Sequence, residues 1–74
     1  MNPVNDRLVA STIVEDLDRN GAQELEDLYK SAQKLHADLD RRFFEETLMV
    51  LEIQGLIRVH STGRDKRRVE LARR

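Results

Sequence analysis

Apolar residues recur at helical spacing three times along this chain, and then the spacing shortens to two. Phe44, Leu48 and Leu51 fall at i, i+4 and i+7, which lines one face of an α-helix. That periodicity predicts a helix from about Asp40 to Gln54, ended by Gly55, a residue that enters the left-handed conformation without steric cost. Upstream, Val9, Ala10, Ile13, Val14 and Leu17 gather on the core face of a first helix. It starts at Asn2-Pro3, with asparagine as N-cap and proline at the first helical position, and runs to about Arg19. Asn20-Gly21 is its stop signal. Leu25, Leu28, Ala32 and Leu35 keep helical spacing in a second helix, from about Gln23 to Leu35. Glu24, Glu26 and Asp27 suit the positive end of its dipole. Tyr29 packs beside Leu28 with its hydroxyl reaching solvent or backbone, and Leu39 is buried in the connection. Asp38 or Asp40 caps the third helix.

Beyond Gly55 the alternation is that of a strand. Leu56 to His60 places Ile57 and Val59 inward, Arg58 and His60 outward. Ser61 to Asp65 reads as a hairpin turn, and Arg67 to Ala72 returns with Val69 and Leu71 on the inner face. The expected fold is α+β: three helices followed by a two-stranded β-hairpin, one domain over residues 1–74.

A helix that closes on Leu-x-x-x-Gly-Leu-Ile and passes straight into a strand resembles the third helix and first wing strand of winged helix-turn-helix domains. The span from Leu28 to Leu71 also resembles the C-terminal winged helix of archaeal origin-recognition initiator ATPases. The matching residues are Leu28-Tyr29, Leu39, Arg41-Arg42-Phe43, the LMVLEIQGLI run, Gly63-Arg64 and Val69-Glu70-Leu71. The phosphate-binding Gly-rich loop of the ATPase part is absent, so the resemblance implies only the domain that contacts DNA in that family, not initiation. In such domains the outer face of the third helix enters the major groove and the wing touches the backbone.

Charge sharpens that expectation. The net charge is −1, yet residues 1–54 carry six Lys/Arg against twelve Asp/Glu, and residues 55–74 carry seven against two. The two balances, −6 and +5, concentrate cations in the hairpin and tail. Arg58, Arg64, Lys66, Arg67 and Arg68 are therefore the candidate DNA-binding residues of the wing, with Arg73 and Arg74 extending the basic tail. Arg41 and Arg42 are the base-reading candidates of the third helix. Glu45, Glu46 and Glu52 share that helix's outer face and oppose a polyanion. Val4, Leu8, Met49 and Ile53 are apolar residues surplus to one small core and form a candidate partner surface, for a homodimer or another protein.

Other chemistry is not expected. Cysteine is absent, which excludes disulfides and thiolate metal sites. His36 and His60 lack metal-ligand spacing and read as surface histidines, and the carboxylates read as solvated helix faces. The sequence has no run of membrane-spanning length, signal peptide or lipidation motif, so a cytoplasmic protein is expected. The expected function is a DNA-binding regulator of transcription or accessory factor of replication, without cofactor, small-molecule substrate or enzymatic activity. The alternative is a protein-docking module that uses its acidic helical face.

Overall fold

A computed structural model of the chain describes residues 6–72. The expected helix start at Asn2-Pro3, Val4, and the tail arginines Arg73 and Arg74 lie outside them. The elements run α1 (Asp6–Asn20), β1 (Gln23–Glu24), α2 (Leu25–Leu35), α3 (Arg41–Ile53), β2 (Ile57–Gly63) and β3 (Lys66–Leu71). The architecture is α+β, as the periodicities predict, but the sheet has three strands rather than two. Its order is β1-β3-β2, antiparallel throughout, with Gln23 opposite Val69 and Ile57 opposite Leu71. β1 is the element that the hydrophobic pattern does not announce. Two polar residues carry no periodicity, and they are extended because the edge of β3 offers them hydrogen bonds.

The core is one cluster drawn from every element except the two-residue β1. Val9, Ile13 and Leu17 of α1 meet Leu25, Leu28 and Ala32 of α2, Phe44, Leu48 and Leu51 of α3, and Ile57 and Val69 of the sheet. Leu39 is buried in the α2–α3 connection, as expected. Leu35 is not a core residue: it is 73 % exposed. The helix stops there, the His36 amide closing on the Ala32 carbonyl at 2.9 Å, and Leu39 in the following turn is buried while Leu35 is not.

Caps set the ends of α3. Asp40 is its N-cap, its carboxylate accepting the Phe43 amide at 2.8 Å. At the other end Gly55 holds φ +79°. The Leu56 amide reaches back to the Leu51 carbonyl (2.9 Å) and the Gly55 amide to that of Glu52 (3.0 Å), the paired bonds of a Schellman stop. The chain leaves this stop directly into β2, so α3 and the hairpin are joined without a linker. β2 runs on to Gly63, with an irregularity between Ser61 and Gly63, and the turn shrinks from the expected five residues to Arg64-Asp65. Asp65 adopts φ 62°, a conformation that Asp tolerates better than most residues with a Cβ.

Candidate nucleic-acid interface

The hairpin stands clear of the body: every residue from His60 to Arg68 is exposed. The inward side chains of its base, Ile57 and Val69, anchor it in the core, and the alternation then turns Arg58, His60 and Arg68 to the opposite face. Arg64 and Lys66 flank the tip. Among the described residues, Arg58, Arg64 and Lys66 enter no ion pair. Arg68 sits opposite His60 on β2 and Glu24 on β1, and its guanidinium donates a 3.4 Å hydrogen bond to the Ala22 carbonyl. His60 does not stand alone on this face. Its Nε2 lies 2.8 Å from the Glu70 carboxylate.

Arg67 behaves differently from its neighbours. It falls on the inner side of the sheet, beyond Val69, and its guanidinium reaches Glu45 of α3 at 3.1 Å. Glu45 also accepts from Arg41 at 3.2 Å, one turn earlier on the same helix. Arg41 in turn pairs with Glu26 of α2 and lies 4.9 Å over the Tyr29 ring. That ring packs 5.0 Å from Phe44, and its hydroxyl accepts from Gln33. A chain of charges Glu26–Arg41–Glu45–Arg67 therefore links α2, α3 and the hairpin. The hydrogen bond from Arg41 holds the Glu26 carboxyl below its ordinary range, and the bond to Glu26 raises Arg41 further above its own.

These contacts divide the sequence-derived site residues. The structure brings Arg58, Arg64, Lys66 and Arg68 together on one projecting hairpin. Arg67 is tethered to α3. Arg41 is paired with two carboxylates and lies over a ring, with nearly half of its side chain still exposed. Arg42 makes a long 3.4 Å contact with Glu46 and its side chain is almost fully in solvent. The carboxylates Glu26, Glu45 and Glu46 are thus ion-pair partners rather than simply solvated. His36 is likewise not a free surface group. The Thr12 hydroxyl donates to the Leu8 carbonyl at 2.8 Å, so at 2.8 Å its oxygen is left to accept from Nε2 of His36, tying α1 to the end of α2.

Of the apolar candidates, Leu8, Met49 and Ile53 are all exposed, Ile53 by 79 %. Leu8 is on α1, and Met49 and Ile53 are four residues apart on α3. Val50 and Leu56, which sequence reasoning did not single out, are exposed as well. Their signal was present in Val50: it lies outside the i, i+4, i+7 stripe of Phe44, Leu48 and Leu51. Among the described residues, no helix is long and apolar enough to cross a membrane. Comparison of the chain with protein-family models, with curated proteins and with solved structures finds no match in any of the three.

Proposed function

We propose that this chain is a winged helix-turn-helix domain that binds double-stranded DNA, as a small regulator of transcription or accessory factor of replication. Its binding free energy comes mainly from phosphate contacts by the β2–β3 hairpin. One observation carries the proposal: a hairpin exposed from His60 to Arg68 displays Arg58, Arg64 and Lys66 without ion-pair partners among the described residues, on a chain of net charge −1. The element order supports the fold half of the proposal, since α2 and α3 are joined by a short turn and α3 passes directly into the hairpin. α3 contributes little attraction, because Glu45, Glu46 and Glu52 share its outer part and Arg41 is already committed to carboxylates. Arg42 is the base-reading candidate left with a loose partner.

Fluorescence anisotropy on one duplex across a salt series tests this. Arg58→Ala, Arg64→Ala and Lys66→Ala should each weaken all sequences alike and lower the salt slope by about one ion. Glu45→Gln should tighten binding twice over, by removing repulsion and by releasing Arg67 to meet phosphate. Undetectable binding at low salt, unchanged by Glu45→Gln, would sink the DNA proposal. A second reading, a protein-docking module whose acidic helical face meets a basic partner, would then stand first. It is favoured by the exposed Met49 and Ile53, which sit among the glutamates of α3.

A further inference from the structure

Within β2 and β3, Glu70 is the one carboxylate among many cations. Alternation along β3 sets Glu70 and Arg68 on the outer face of the hairpin, with Arg58 and His60 of β2. The register puts Arg58 across from Glu70, and His60 across from Arg68. The Glu70 carboxylate leans diagonally to His60, 2.8 Å from its Nε2, and both side chains stay about half exposed.

That contact fixes where the imidazole proton sits. A carboxylate only accepts, so Nε2 is the protonated nitrogen of the neutral ring. Nδ1 then carries a lone pair, and among the described residues it has no partner. A neutral His60 therefore presents an acceptor on a face of donors, and a phosphate oxygen cannot bond to it. Protonation puts a hydrogen on Nδ1. The ring becomes a cation with an unused donor, which suits a phosphate oxygen.

The surrounding charges set the balance. Glu70 favours the imidazolium. Arg68 opposite, Arg58 two positions along β2 and Lys66 two beyond Arg68 oppose it, while Glu24 of β1 lies across from Arg68. A phosphate laid on this face neutralises the opposing cations and adds a second anion beside the ring. Proton and DNA then each favour the binding of the other.

We propose that His60 is a proton-gated phosphate contact: protonated, it joins Arg58 and Arg68 on the DNA backbone, and neutral it contributes nothing. Affinity then rises as pH falls through the range in which an imidazole titrates. The inference rests on the DNA-binding reading of the hairpin, to which it adds His60 and a dependence on pH.

Fluorescence anisotropy on one duplex, at about pH 8 and about pH 5.5 and at several salt concentrations, tests it. The wild type should bind at least about three-fold tighter at the lower pH, with a salt slope steeper by about one ion. His60→Gln should bind alike at both, at the weaker level. His60→Lys keeps its charge throughout and should bind alike at both, at the tighter level. Glu70→Gln should bind tighter than wild type at the higher pH and take its step at a lower pH. An imidazole NMR titration gives a second readout. Adding the duplex should raise the His60 midpoint and leave that of His36, tied to Thr12, where it was. Equal affinity at both pH values, a step that survives in His60→Gln, or a His60 midpoint indifferent to the duplex would overturn the gate and leave the DNA reading standing. Absence of binding at both pH values would overturn the two together.

Discussion

Gly55 and Leu35 illustrate how single positions follow from local geometry. A Cβ built at Gly55 meets nothing within 4 Å, so the only obstacle to substitution is the positive φ. Gly55→Ala should therefore cost about 1–2 kcal/mol, the ordinary penalty of the left-handed region, and Gly55→Asn less. Leu48→Ala and Leu51→Ala remove buried side chains and should each cost about 2–5 kcal/mol, whereas Leu35→Ala should stay within about 0.5 kcal/mol. Urea unfolding of the five variants measures these differences, and a Leu35→Ala as damaging as Leu48→Ala would contradict the packing described. Asp65 is the tip residue between two cations. Asn accepts the same φ and carries no charge, so Asp65→Asn should tighten DNA binding while leaving the unfolding midpoint nearly unchanged. Anisotropy and urea unfolding of the one variant test both halves.

At the scale of elements, the clamp between α2 and α3 makes a pH-dependent claim. The folded state holds the Glu26 carboxyl below its ordinary 4.5, through the hydrogen bond from Arg41. Its contribution is therefore present above that value and is lost as pH falls through the lower, folded one. The stability gap between wild type and Glu26→Gln should be open at neutral pH and close on acidification below about 4.5, read from urea midpoints across pH. A gap that is constant with pH would show the ion pair to be inert. The three helices, the two long strands and the inward residues Ile57 and Val69 were legible in the sequence, because each buries a periodic stripe long enough to count. β1 was not, since its conformation belongs to the edge of β3. Alternation from Val69 puts Arg67 on the inner face and Arg58 on the outer one, but spacing could not reveal that Glu45 waits opposite Arg67, because that depends on how α3 packs against the sheet.

Taken whole, the molecule is polarised. The acidic helical part and the basic hairpin touch through the Arg67–Glu45 pair, and the cations that face solvent are those beyond its reach. Breaking that contact with Arg67→Ala should cost little stability, as for other exposed ion pairs, and should lower DNA affinity less than Arg64→Ala does. Paired unfolding and anisotropy measurements check this, and equal losses of affinity would show that Arg67 meets phosphate as freely as Arg64. β1 has a different consequence, in the order of folding. Gln23 and Val69 are paired across 46 positions, whereas the β2–β3 ladder closes over a two-residue turn. Joining so distant a pair costs roughly 3 kcal/mol of chain entropy, more than two ladder residues return. The β2–β3 turn can thus close before the helices have packed, but the β1 seam only after α1 and α2 have packed. Being a two-residue edge strand with few hydrogen bonds to hold it, that seam should also be the first part of the sheet to open in the native state. Its amides should exchange with solvent hydrogen well ahead of those shared by β2 and β3, so the sheet sheds its shortest strand long before the domain unfolds.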